Sequence, residues 1–259
     1  MWLGFLIAAA ALIGGVAATG VNLRYFLQPT GMLIVLAGTA GVTLIGTPRR
    51  CLTQTFRCLR ELSATAGVDR DALFEELIVI NKIRRARGVW VLDEESKSAS
   101  HPFLRDLLLA AADAPSRSEF QAAMEARIRL EERNGDAGAK TLEVAGGFAP
   151  TLGVMGTVVG LIDVLRQFSN LNAVAAGVGT AFVSTIYGLA LANLLLLPAA
   201  CRIREQFAEA LEIQEMIFEG GLCIYEGVHP SLMQERLRAF LNPPTGAVPS
   251  GFLGHGASQ

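Results

Sequence analysis

Four hydroxyls and two prolines stand where a membrane anchor needs none. Pro150 and Thr157 lie in "GGFAPTLGVMGTVVGLID", residues 146–163, an apolar stretch that also holds five glycines and ends in an acid. Thr180, Ser184 and Thr185 lie in "VGTAFVSTIYGLALANLLLLP", residues 178–198, which closes on Pro198. A hydroxyl is a neutral donor and acceptor, a weak ligand for water or a partly dehydrated ion. A proline removes one backbone donor and frees the carbonyl four residues earlier. In lipid that carbonyl needs a partner or water. Together these groups describe a polar wall along which an ion could pass. Gly146, Pro150, Gly153, Thr157 and Gly160 recur at intervals of four and three, so they share one helical face. Thr180 and Ser184 are four apart and share a stripe with Tyr187, with Thr185 beside it. Small residues and hydroxyls also serve close helix packing alone, and both readings stand at this point. No Asp, Glu, Lys or Arg occupies the centre of either stretch, and Asp163 falls toward an end. Ion pathways usually carry an ionisable group. The carboxylate of such a pathway is therefore expected on another subunit.

A second cluster is of a different kind. "RRARGVWVLDEES", residues 84–96, carries Arg84, Arg85 and Arg87, then Asp93, Glu94 and Glu95. The signs are segregated, with Gly88 and Trp90 between them. Most charge clusters are only solvated surface. Segregated surface charge also suits a contact that is made and broken repeatedly, because it steers approach without locking.

The elements that must position these groups follow from hydropathy. The chain has 259 residues, of which 51% are hydrophobic and 18% charged, with a mean hydropathy of +0.41. Four apolar stretches, 2–20, 31–47, 147–168 and 177–199, approach the ~20 helical residues that cross a bilayer core. The expected fold is all-α: a polytopic membrane protein with four transmembrane helices and a helical cytoplasmic domain. Arg49 and Arg50 directly follow the second span, and Arg202 and Arg204 the fourth. The positive-inside rule then puts both termini and the long loop in the cytoplasm. The expected organisation is a membrane hairpin over 1–47, a cytoplasmic helical domain over 48–146, and a channel-forming hairpin over 147–200. A helical tail over 201–241 and a disordered C-terminus over 242–259 complete it. Within the loop, Leu73, Leu77, Ile80 and Ile83 have helical spacing. Asp69 is expected to cap that helix and Ser118 the long third helix of the loop, over 117–146.

Composition excludes several classes. The net charge of −2 argues against nucleic acid. The four cysteines and three histidines have no metal-ligand spacing, and the cysteines fall on the expected reducing side, where disulfides are not needed. No paired acids, phosphate loop or nucleophile elbow is present. No cofactor and no enzymatic activity are expected. A purely structural bundle would explain the glycines but not the charge-segregated loop.

The residues also carry a resemblance. "GGFAPTLGVMGTVVGLIDVL", "AFVSTIYGLALANLLLLP" and "HPFLRDLL" resemble the flagellar-motor stator subunit MotA and its relatives. So do "PTGMLIVLAGTAGVTLIGTP" and "EMIFEGGLCIYEGVHPSLMQERLRAFL". The resemblance runs from about residue 3 to 241. It implies a bacterial inner-membrane subunit, a pentamer around a dimer of a MotB-like chain. That partner brings one span with an ion-carrying aspartate. Ion flow, with protons favoured over sodium, would drive rotation against the rotor protein FliG. Pro150 and Pro198 match the family's two prolines, Thr157 and Thr185 its channel-facing threonines, and Arg85 and Asp93 its rotor-facing charges. Ala86 and Arg87 depart from the family pattern. The related TolQ and ExbB subunits, which energise a periplasmic transducer, share the core of spans three and four. They typically have one span before the cytoplasmic domain, where two are expected here.

Overall fold

A computed structural model describes residues 2–18, 20, 26–61, 68–166 and 171–241. Among these residues every regular element is a helix. Arg24 and the segment expected to be disordered, 242–259, lie outside the described residues. The chain divides into two units. The first is residues 1–65 with 133–207, the second 66–132 with 208–259.

The first unit begins with α1 (Trp2–Ala18) and α2 (Pro29–Gly46). It continues with α3 (Arg49–Glu61) and most of α7 (Arg117–Arg166). Then come α8 (Leu171–Ala190), a π-helical segment (Leu191–Leu196) and the start of α9 (Leu197–Glu226). Pro29 opens α2, where its fixed φ suits the first helical turn and its missing N–H costs nothing. Three stretches among the described residues are long and apolar enough to cross a membrane: Pro29–Gly46, Arg117–Arg166 and Gly177–Glu226. α1 has 17 residues, about 26 Å at 1.5 Å per residue, the short limit for a span.

The buried face of α2 is Gly31, Val35, Thr39 and Thr43, a four-residue repeat that points one stripe inward. Tyr187 of α8 secures the start of α2. Its hydroxyl accepts from the Gln28 backbone N–H at 3.1 Å and donates to the Phe26 carbonyl. α3 packs Cys58 against Ala139, Leu142, Ala200 and Ile203, and Thr55 donates to the Gly138 carbonyl at 3.3 Å. This helix, expected in the cytoplasmic domain, thus belongs with the span-bearing unit.

The second unit contains α4 (Arg70–Arg87), α5 (Val91–Ser96) and α6 (Pro102–Asp113). The first turns of α7, the end of α9 and α10 (Pro230–Leu241) complete it. Leu77, Ile78, Leu104, Leu107, Leu108, Ile217 and Ile224 are buried in one core. Each such side chain removed from water stabilises the unit by about 1.5–3 kcal/mol. Asp69 caps α4 as expected, accepting from the N–H groups of Asp71 and Ala72 at 3.1 and 3.2 Å. The cap of α7 is Ser116, not Ser118. The helix starts at Arg117, and the Ser116 hydroxyl accepts from the Glu119 N–H at 3.3 Å. Ser118 sits inside the first turn, where a serine is only a surface residue.

Candidate functional site

The polar wall forms where α7 and α8 touch. Two glycines set the approach. A Cβ on Gly153 would lie 2.9 Å from the Ser184 carbonyl and 3.1 Å from Thr185 Cα. One on Gly188 would lie 2.5 Å from the Ala149 carbonyl and 3.1 Å from Gly153 Cα. These neighbours are backbone, so nothing can move aside. The helices meet main chain to main chain, which only glycine permits.

At this seam Thr157 and Thr185 share a hydrogen bond, Oγ1 to Oγ1 at 2.6 Å. Both hydroxyls also reach the Gly153 carbonyl, at 3.2 Å from Thr157 and 3.5 Å from Thr185. Thr157 is buried and Thr185 half-buried. The structure therefore joins two of the sequence-predicted residues in one triad of oxygens. Ser184 goes elsewhere. It is buried between α2 and α7, where a Cβ on Gly31 would strike its hydroxyl and one on Gly156 would lie 2.8 Å from its Cβ. Its neighbours make it part of a three-helix contact rather than of the threonine pair. Thr180 lies in α8, with its side chain outside the described ones.

The prolines act on the backbone. Pro150 lies inside α7, half-buried. Pro198 is exposed and follows the π-helical segment directly. A proline ring collides with the carbonyl four residues back, and a π turn, bonded five residues back, widens the helix there. The N–H of Leu197 bonds to the Ala192 carbonyl in that pattern. Within the segment sits Asn193, exposed, its Nδ2 donating to the Leu189 carbonyl at 3.0 Å. An exposed amide on a span offers its oxygen to a neighbouring helix. Asn193 was missed in the sequence reading, although an amide five residues before a proline in an apolar run was the available signal.

The charge cluster lies in the second unit and separates into two groups. Arg84 donates to the Tyr225 carbonyl at 2.6 Å, and Arg85 to the Gly227 carbonyl at 3.1 Å. Both thus satisfy carbonyls at the end of α9, where Gly227 turns the chain at φ +70°, and their charge is favourable at a helix C-terminus. Buried Asn81 adds a bond to the Val228 carbonyl at 3.0 Å. Arg87, Asp93 and Glu94 are exposed, and Asp93 pairs with Lys97 at 3.5 Å. Gly88, at φ +90°, ends α4 and leaves Trp90 90% exposed between the two signs. In the same unit His101 caps α6, its Nδ1 accepting from the Phe103 N–H at 3.1 Å. Burial lowers the His101 pKa, against the opposing pull of Glu131 and Glu76.

Among the described residues no group of three or more His, Cys, Asp or Glu could hold a metal ion. The arrangement can line an ion's path and present charge to a partner.

Residues 95–216 match the model of the MotA/TolQ/ExbB proton channel family. The chain is 28% identical over 243 residues to motility protein A of Bacillus subtilis, covering 92% of this chain and 89% of that one. Its fold superposes on MotAB of C. jejuni with a TM-score of 0.87 at 26% identity, covering 93% and 94% of the two chains. On the flagellar MotAB stator complex of Bacillus subtilis the TM-score is 0.86 at 27% identity, covering 93% and 95%. The apolar helices, the close α7–α8 seam and the whole-length likeness point the same way: the chain is similar over residues 95–216 to the MotA/TolQ/ExbB proton channel family, and over nearly its whole length to MotA-type proteins.

Proposed function

We propose that this chain is the A-type subunit of a flagellar motor stator. With a MotB-like subunit it forms an ion channel that converts ion-motive force into torque. It is not an enzyme. The observation that carries the reading is the Thr157–Thr185 pair at a glycine-closed seam. It is an oxygen-lined wall without an ion-carrying carboxylate of its own, in a chain that matches MotAB stator proteins over nearly its whole length. The missing carboxylate belongs to the single span of the MotB-like partner. Protons are the coupling ion, Pro150 and Pro198 shape the backbone around the path, and Thr180 and Ser184 extend the polar face of α8.

The finer features are part of the same proposal. Four passes place both termini in the cytoplasm of a bacterial inner membrane. Residues 1–47 and 147–200 form the two membrane hairpins, and 48–146 with 201–241 face the cytoplasm. Five copies surround two partner helices and turn FliG. Arg85, Arg87, Asp93 and Glu94 are exposed and make the rotor contact together with Arg84, while Arg84 and Arg85 also tie α4 to the end of α9.

The test is genetic and biochemical together. Deleting the gene abolishes swimming, and the tagged chain co-purifies with a single-span protein. Arg87→Glu or Glu94→Lys lowers swimming speed under load without lowering membrane abundance, and a matching reversal on FliG restores part of it. If deletion leaves swimming intact and weakens the cell envelope, the chain is instead a TolQ- or ExbB-type energiser.

A further inference from the structure

A cleft of about 570 Å³ opens among the start of α2 and the facing ends of α7 and α8. It lies at the loop end of the α7–α8 hairpin, away from Pro150 and Pro198. Gln28, Thr30 and Ser184 line it, but its walls are mainly apolar, with Ile34, Val159, Ile162, Val164 and Ala181. Its rim is not, for Asp163 and Arg166 line it from the last turns of α7. All three helices belong to stretches long and apolar enough to cross a membrane, so the cleft lies at the depth of the bilayer. An unfilled cleft forfeits dispersion contacts along its apolar lining. An acyl chain supplies them.

The rim selects the headgroup. Asp163 and Arg166 are three residues apart and therefore neighbours on one helix face. At the end of a span they reach the headgroup layer. An acid beside a base complements a zwitterion. Guanidinium matches a phosphodiester through paired N–H donors. A carboxylate offers about four lone-pair sites, so it accepts a ligand's N–H beside bonds it already makes. We propose that this cleft binds a phospholipid with a primary-amine headgroup, phosphatidylethanolamine. Its chain lies along the apolar walls, its phosphate on Arg166 and its ammonium on Asp163. A choline headgroup has no N–H to give Asp163, and a glycerol headgroup no positive charge. The proposal rests on the membrane placement of α2, α7 and α8. It gives the lipid a structural task, joining α2 to the channel hairpin.

The experiment is native mass spectrometry of the full stator complex in detergent. It is offered phosphatidylethanolamine, phosphatidylcholine and phosphatidylglycerol with identical chains. Phosphatidylethanolamine is expected to bind best. Asp163→Asn should remove its advantage over phosphatidylcholine. Arg166→Gln should weaken both by roughly tenfold, the worth of one charge-assisted hydrogen bond. Val159→Phe, which narrows the cleft at a half-exposed wall position, should lower binding of all three. Equal binding of the three lipids to the unaltered complex would overturn the headgroup assignment. Disulfide cross-linking of Val159→Cys to a second copy would show that protein, not lipid, fills the cleft. The readout is bound lipid mass, so it stands or falls apart from whether the complex drives a flagellum.

Discussion

Replacing Thr157 and Thr185 by valine, singly and together, separates packing from ion passage. Two hydroxyl protons serve two acceptors here. One donates to the Gly153 carbonyl, at 3.2 Å from Thr157 and 3.5 Å from Thr185, and the other across the 2.6 Å pair. Thr157→Val removes the short bond and leaves Thr185 with the more distant carbonyl. Hydrogen bonds between membrane helices average about 0.6 kcal/mol and reach about 1.7. Thr157 is only 9% exposed, so each single substitution should destabilise by about 1 kcal/mol on that scale. The double variant replaces both partners by groups of similar shape, which is nearly neutral beyond the first loss. Its cost should stay near ~1 kcal/mol rather than ~2, a coupling of about 1 kcal/mol in a double-mutant cycle. Passage should respond in the opposite sense. A single variant leaves one side-chain oxygen at the seam and the double leaves none there, so ion flux and swimming fall furthest in the double. Thermal melting of the purified complex gives the cycle. Flux and swimming speed at equal membrane abundance give the function. Strictly additive melting would refute the shared bond. Full swimming by the double variant would show that these threonines only pack.

Three further outcomes follow from the geometry. Gly188→Ala places a methyl 2.5 Å from the Ala149 carbonyl, so it should cost about 1–3 kcal/mol or more and deplete the complex from membranes. Gly179→Ala, with nothing within 4 Å, is the matched control and should change neither. Arg84→Ala should destabilise by about 1–2 kcal/mol, because it strips a charged donor from a helix-end carbonyl. Amide exchange over 224–228 should quicken, whereas exposed Arg87→Ala should stay within about 0.5 kcal/mol. His101 has a folded pKa below its ordinary 6.5, so the unfolded chain binds more protons between the two values. Stability therefore rises with pH, is complete above about 6.5, and is lost as pH falls through the folded value. Denaturation of the complex against pH should show this slope, and His101→Asn, which keeps a cap, should flatten it.

The sequence by itself determined everything written in short-range periodicity. Apolar length marked stretches long enough to cross a membrane, intervals of four and three put Gly153 and Thr157 on one face, and Asp69 announced a helix start. Each depends only on helix geometry, which repeats every few residues whatever surrounds it. The tertiary structure decided which neighbours those faces met. Arg84 and Arg85 read as surface charge, yet their partners are carbonyls 141 and 142 residues later, so no local pattern could reveal them. Ser184 and Thr185 are adjacent in the chain, but a helix turns successive side chains about 100° apart. One therefore meets Gly31 and Gly156 and the other Thr157. The π turn that carries Asn193 answers a local cause, Pro198, but its exposure depends on which helices cover α8. Ser116 rather than Ser118 caps α7 because two serines compete and tertiary packing settles where the first turn begins. Periodicity fixes which residues share a face, and only packing across more than a hundred residues fixes what that face touches.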